Sequence, residues 1–310
     1  MRILTGYKTI NMMTWLEIDS KAIAHNISQF RKKIGKDRLL MPVIKANAYG
    51  HGFLNLAKIC QRNAEVNRVC VVNSDEALDL IRHHFTKPIM ILSFYDTDSV
   101  TLKILGKKGV IFPVYCMEQA KILDSIGVKL NKQIKIHIKI DTGTSRVGFL
   151  PAELAGVAEK LKKMKFLNIE GVWSHFASSE DDLIYTQKQY LLFFKCVDLL
   201  KKKGIDPLVK HMSCSASIST VKLNGFNAFR FGVSLYGLHP SAKTRRSLVL
   251  QPALTWRTKI IQIKTLPPNT KIGYGGTYTT RCLTRLAVLA VGYWDGYDRK
   301  LSNKAIVLIH

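Results

Sequence analysis

The amino-acid sequence predicts an α/β fold: a (β/α)8 TIM barrel followed by a smaller, β-rich C-terminal domain. Three observations carry that expectation. Between about Leu39 and Leu238, short apolar runs alternate with segments of helical period, the rhythm of successive βα units on a parallel sheet. After Pro240 the rhythm changes to β-branched, alternating stretches separated by Pro- and Gly-rich turns. The length, 310 residues, suits about two domains or one large barrel with an appendage.

Taken in order, residues 1 to 13 (MRILTGYKTINMM) hold no uninterrupted apolar stretch and no small-residue cleavage site, so they read as a short extension and not as a secretory signal. The barrel then spans residues 14 to 240. Eight apolar runs are its candidate strands: Leu39–Lys45, Val66–Asn73, Pro88–Phe94, Gly109–Val114, Ile134–Asp141, Ile169–His175, Leu208–Ser213 and Phe229–Leu235. Intervening segments such as Pro151–Lys165 and Leu183–Lys203 space their apolar residues by three and four, as outer helices require. Residues 241 to 310 form the second domain, with candidate strands in Leu254–Leu266 and Thr284–Val291. The apolar run Ala305–Ile309 reads as a strand cut short, which predicts an incomplete domain because a cut strand leaves backbone groups unpaired.

Composition excludes several classes. Hydrophobic residues at 47% and charged residues at 22% provide for a large core, unlike a disordered or collagen-like chain. No apolar run reaches the roughly 18 residues of a membrane span. Cys60, Cys70, Cys116, Cys196, Cys214 and Cys282 form no CxxC pair, which disfavours a disulfide framework or zinc knuckle and fits a reducing cytoplasm. The net charge of +25 invites a nucleic-acid partner. Against it, the clusters Arg31–Lys33, Lys162–Lys165 and Lys201–Lys203 fall near helix ends, where cations favour the dipole, and no nucleic-acid motif accompanies them. No GxGxxG, Walker or HExxH pattern occurs, and no metal site is expected.

In a βα barrel, chemistry collects at the C-terminal ends of the strands. Reading those ends yields Lys45, Asp141 with Arg146, His175, Ser213 with Ser215, and Arg230 followed by Gly232. A lysine held in such a mouth is a natural Schiff-base former, and the hydroxyls and backbone near Ser215 and Gly232 could cradle a phosphate. Each residue alone has an ordinary structural reading; together they describe a site for a phosphorylated aldehyde cofactor.

The segment PVIKANAYGHG, residues 42 to 52, resembles the pyridoxal-phosphate attachment segment of alanine racemases. DTGTSRVGF (141–149), WSHFASSE (173–180), RFGVSLYGL (230–238), IGYGGTYT (272–279) and VGYWDGY (291–297) resemble that family's later blocks, in the family's order. The resemblance runs from about Trp15 to the last residue. It implies a fold type III enzyme that interconverts L- and D-alanine in the cytoplasm, supplying D-alanine for peptidoglycan, with neither nucleic acid nor membrane as partner.

It further implies that Lys45 holds pyridoxal 5'-phosphate as an internal aldimine and serves as base on one face of the α-carbon. Tyr274, from the partner subunit of a homodimer, would be the base on the other face, with His175 and Arg230 in the network beside it. Arg230 matches the arginine facing the pyridine nitrogen, and Arg146 the one contacting the cofactor's phenolic oxygen and the substrate carboxylate. Lys139 aligns with a lysine carbamylated in some members, where it orients that arginine. Tyr49, Ser215, Gly232 and Val233 match the phosphate site, the last two through backbone amides. Two departures stand out. Cys214-Ser215 replaces the family's frequent Asn-Ser, and the family continues for about fifty residues beyond this C-terminus. The expectation is thus a C-terminally shortened alanine racemase, lacking a Met-Asp segment and a late tyrosine. The alternative is a non-catalytic pyridoxal-phosphate barrel or a racemase decayed by that loss.

Overall fold

The structure, a computed structural model, describes residues 12–221 and 224–309; most of the predicted extension lies outside them. The chain divides into two compact units. One is Asp19–Ala253; the other joins the N-terminal stretch up to Ile18 with the residues from Leu254 onward.

Strand β1 (Thr14–Ile18) belongs to the second unit, and the eight strands of the first are β2 (Leu39–Pro42), β3 (Val69–Val71), β4 (Ile89–Ile91), β5 (Phe112–Val114), β6 (Ile134–Lys139), β7 (Leu167–Trp173), β8 (Val209–His211) and β9 (Ala228–Phe231). Parallel ladders join β2 to β9, β3 to β4, and β5 through β8 in order. Single parallel bridges, Val43 with Cys70 and Met90 with Ile111, continue the sheet from β2 to β3 and from β4 to β5. At the β8–β9 seam, Asn227 N–H donates to the Lys210 carbonyl at 3.2 Å and Arg230 N–H to Ser213 Oγ at 2.9 Å. The arrangement is a (β/α)8 barrel.

Every candidate barrel strand is present; β7 is shifted two residues toward the N-terminus, β9 starts one residue early, and every one but β5 stops before the end of its apolar run. β2 ends at Pro42, so Lys45 is not its last residue but the first of a tight turn. β9 gives way after Phe231 to a 3-10 turn, Val233–Tyr236, where the sequence suggested strand as far as Leu235. The break falls at Gly232, whose ψ of −87° leaves the extended region.

The outer helices form for local reasons. Asp19 caps helix Ser20–Ile34 by accepting from the amides of Lys21 and Ala22 at 2.7 and 3.2 Å, while Arg31, Lys32 and Lys33 occupy its last turn. Its buried face carries Ile23, Ile27 and Phe30, and Phe30 stacks on Phe231 of β9 at 4.2 Å. Asn73 and Asp182 cap helices Ser74–Arg82 and Leu183–Lys202 in the same way. Inside the barrel, Met41, Cys70, Met90, Ile111, Trp173 and Ala228 pack in one apolar cluster. Burying one such large apolar side chain stabilises by about 1.5–3 kcal/mol.

The two packed units are bounded at other residues than the sequence domains. The barrel unit runs past residue 240 to Ala253 because Asn26 donates to the Gln251 carbonyl and accepts from its amide, each at 2.8 Å, and Ala253 N–H reaches the Tyr236 carbonyl at 3.0 Å. Thr14–Ile18 leaves the barrel because β1 pairs antiparallel with β10 (Leu254–Thr258), Leu16 opposite Trp256. The second unit also holds β11 (Ile260–Leu266), β12 (Lys271–Ile272), β13 (Tyr278–Thr279) and β14 (Thr284–Leu289); β11 pairs with β14 and β12 with β13. The run Ala305–Ile309 forms no strand, having no ladder partner among the described residues. Among those residues no helix is long and apolar enough to cross a membrane.

Candidate active site

The C-terminal ends of the barrel strands open into a cavity of about 690 Å³. Nine of the predicted residues line it together: Lys45, Tyr49, Lys139, Arg146, His175, Ser215, Arg230, Gly232 and Val233. The tenth, Tyr274, lies in the second unit, on a 3-10 turn from Tyr274 to Gly276, and is 86% exposed.

Lys45 is held by an unusual turn. Ala46, Asn47, Ala48 and Tyr49 all take φ between 53 and 54°, four consecutive left-handed residues. For an L-residue that conformation costs roughly 1–2 kcal/mol, so the surroundings must impose it. Glu76 does so at the entrance: one carboxylate oxygen accepts from Ala46 N–H and the other from Val72 N–H, both at 2.7 Å. Asn47 closes the far side by accepting from Phe53 N–H at 2.9 Å. The buried Tyr236 hydroxyl donates to the Val43 carbonyl at 3.1 Å. Tyr49 thereby faces Gly232, and burial raises its phenol, which keeps the hydroxyl protonated.

Arg146 is presented by a loop built on Asp141. One carboxylate oxygen accepts from the amides of Gly143, Thr144 and Ser145 at 2.9–3.1 Å, and the other from Arg146 N–H at 2.9 Å. Burial pushes this carboxyl up, but the four amides outweigh burial and hold its pKa below the usual value.

The floor is cationic and buried. The Arg230 guanidinium lies over the Trp173 ring at 4.7 Å and donates to the Ser174 carbonyl at 2.9 Å. It also meets His175 Nδ1 at 3.3 Å and His211 Nδ1. Burial lowers its pKa to about 10, still far above neutrality, so the cation persists. Lys139 Nζ also lies over the Trp173 ring, at 4.3 Å; burial, then repulsion from Arg230, drives its pKa well below the ordinary lysine value. Burial and the same cations also lower His175, which is neutral at pH 7. Beside them, Ser215 Oγ accepts from Gly232 N–H at 3.0 Å, gathering a hydroxyl and the strand-end amides in one corner.

Sequence reading passed over His137, His211, Glu170 and Arg68, which continue the polar floor down through the barrel, and assigned Trp173 to packing. A signal was present. In Ile134–Lys139, β6 reads Ile-Lys-Ile-His-Ile-Lys, so a period of two puts Lys135, His137 and Lys139 on one face, where a strand covered on both sides should be apolar.

The chain also resembles known proteins. Residues 18–240 match the family model for the alanine racemase N-terminal domain, and residues 253–310 match that for the alanine racemase C-terminal domain. The chain is 39% identical over 299 residues to an alanine racemase of Methanococcus maripaludis, covering 96% of this chain and 79% of that protein. Among solved structures, alanine racemase from Streptomyces lavendulae superposes with a TM-score of 0.87 at 28% identity, over 96% of this chain and 78% of that one. The Bacillus anthracis enzyme with bound L-Ala-P gives 0.81 at 34% identity, over 95% and 76%. Two domain models spanning nearly the whole chain, and a relative at this identity over most of its length, show that the chain belongs to the alanine racemase family.

Proposed function

We propose that this chain is a pyridoxal-phosphate-dependent racemase interconverting L- and D-alanine, acting as a cytoplasmic homodimer that supplies D-alanine for peptidoglycan. The observation that carries the reading is the meeting of Lys45, Arg146, His175 and Arg230 in one cavity with the cradle of Ser215, Gly232 and Val233. This donor set fits the cofactor: a primary amine for an aldehyde, a cation for an aromatic ring nitrogen, and neutral donors for a phosphate. Gly232 is part of the fit, since a Cβ there would stand 2.6 Å from Tyr49 Oη and close the corner. The L-Ala-P bound by the Bacillus anthracis relative supports alanine as substrate.

When bound, pyridoxal phosphate supplies an electron sink for negative charge at the substrate α-carbon. Lys45 would hold the cofactor through its amine and serve as the base on one face of the substrate α-carbon, and Tyr274 of a second copy would serve as the base on the other. Arg146, aimed by the Asp141 loop, binds the substrate carboxylate. Arg230 keeps its proton and would hold the ring nitrogen of the cofactor as a donor that does not give that proton up. Burial lowers the pKa of Lys139, which favours the neutral amine that carbamylation needs, and as a carbamate it would orient Arg146.

The test is to incubate the protein with pyridoxal phosphate, reduce with borohydride and map the labelled lysine. Selective label on Lys45, lost in Lys45→Ala together with racemisation, is the expected result. Label scattered over surface lysines, or cofactor absorbance retained in Lys45→Ala, overturns the reading. Tyr274→Phe should slow proton abstraction from L-alanine more than from D-alanine; equal slowing removes Tyr274 from that role.

A further inference from the structure

From Arg230 inward, five polar side chains, Arg230 among them, run through the interior of the barrel in one hydrogen-bonded line. Arg68 donates to Glu170 Oε2 at 2.7 Å, and the same oxygen contacts His137 Nε2 at 2.9 Å. His137 Nδ1 contacts His211 Nε2 at 2.8 Å, and His211 Nδ1 meets Arg230 Nη1. His137 and His211 are fully buried, and Arg230 is 2% exposed.

The backbone is shaped to admit this line. In the β6–β7 ladder Ile136 pairs with Ile169 but His137 pairs with Gly171, so Glu170 is the extra residue of a β-bulge. A bulge re-aims its side chain, here toward His137 and not into the alternation of the strand. Gly171 makes room for the ring: a Cβ there would stand 2.5 Å from His137 Cε1. Trp173, two residues on, lies parallel to the His211 ring at 5.5 Å and 9°.

Proton counting fixes the direction of every bond. Glu170, despite partial burial, is held to about 2 by His137 and Arg68, so it is an ionised acceptor. At the other end a guanidinium can only donate. Two imidazoles between them can satisfy both ends while neutral only if each carries its proton on Nε2. His137 then donates to Glu170, His211 donates to His137, and Arg230 donates to His211 Nδ1. Burial, the leading cause, lowers both histidines, in keeping with neutral rings.

We propose that Glu170 is a positioning residue for Arg230, setting through the His137 and His211 tautomers which guanidinium N–H groups are spent inside the barrel and which remain for the cofactor ring. The functional half of this proposal rests on the racemase reading above. A barrel interior filled by apolar side chains would avoid burying five polar ones, whose interior placement is costly unless every bond is made. The directed line offsets that cost and leaves Arg230 with neutral partners only: His211, His175, the Ser174 carbonyl and the Trp173 face. Its charge is therefore not cancelled by a carboxylate in contact.

The experiment is nitrogen-15 NMR of the histidine side chains in the wild-type protein and in Glu170→Gln, with and without pyridoxal phosphate. In the wild type, His137 and His211 should each show a protonated Nε2 and an unprotonated Nδ1, unchanged between about pH 6 and pH 8. Glutamine can donate as well as accept, so Glu170→Gln should lose this single tautomer at His211, shift the pH at which the Lys45-bound cofactor changes its absorbance, and lower kcat about tenfold with KM for alanine nearly unchanged. A wild-type His211 protonated at Nδ1, or cationic, overturns the relay irrespective of activity. A variant with altered tautomers but unchanged absorbance titration and kcat overturns the positioning role. Missing borohydride label on wild-type Lys45 overturns the cofactor reading and the functional half with it, while the tautomers decide the relay separately.

Discussion

At the scale of single residues, the cost of the site is concentrated in the turn after β2. Four left-handed residues, none of them glycine, hold Lys45 at the cavity wall. Ala46 is exposed and donates only through its backbone to Glu76, so Ala46→Gly keeps every bond while removing the Cβ clash. It should stabilise the fold by about 1 kcal/mol, read from the denaturation midpoint, and slow borohydride trapping by widening the range of Lys45 positions. Unchanged or lower stability would show that the turn is not strained. The lysine itself was legible in the sequence as a strand-end residue, but the turn was not. Alanine, asparagine and tyrosine have no common preference for positive φ, and the conformation is imposed by Glu76, thirty residues away.

At the scale of elements, the eight barrel strands were legible because strands covered on both faces need continuous apolar runs, and such runs are short and regularly spaced here. The bulge at Glu170 was not legible, since Asn-Ile-Glu-Gly-Val reads equally well with or without an extra residue. The polar interior it helps to build has a consequence for stability. His137, His175 and His211 titrate lower in the folded chain than in the unfolded one, where histidine has a pKa near 6.5. Their neutral forms cost nothing above that pH. As pH falls below it, the unfolded chain takes up protons the folded chain refuses, and stability drops by up to about 1.4 kcal/mol per unit for each ring. Glu170, held to about 2 in the fold against 4.5, adds a second loss as pH falls from 4.5 toward 2. Unfolding curves across acid pH should show the first loss beginning below about pH 6.5 in both wild type and Glu170→Gln, and the second weakened in the variant. A flat stability between about pH 6.5 and 5 would show that the histidines are not buried in neutral form.

At the scale of the whole molecule, the proposed site, with Lys45 from one copy and Tyr274 from another, predicts complementation. Mixing Lys45→Ala with Tyr274→Phe chains lets half of the randomly formed dimers hold one intact site, restoring about a quarter of wild-type activity from two crippled variants. No recovery after subunit exchange would place both bases in one chain. Domain division was legible only roughly, because β1 returns to β10 across more than two hundred residues and no local pattern announces so distant a partner. The same division sorts the tryptophans. Trp15, Trp256 and Trp294 sit in the second unit, the last 94% exposed, while the barrel unit holds Trp173 alone, 4% exposed and in contact with Lys139, Arg230 and His211. The chain thus carries its own optical reporter: blue-edge emission comes chiefly from the floor of the cavity, and occupancy of the site can be followed in the intact protein by light alone.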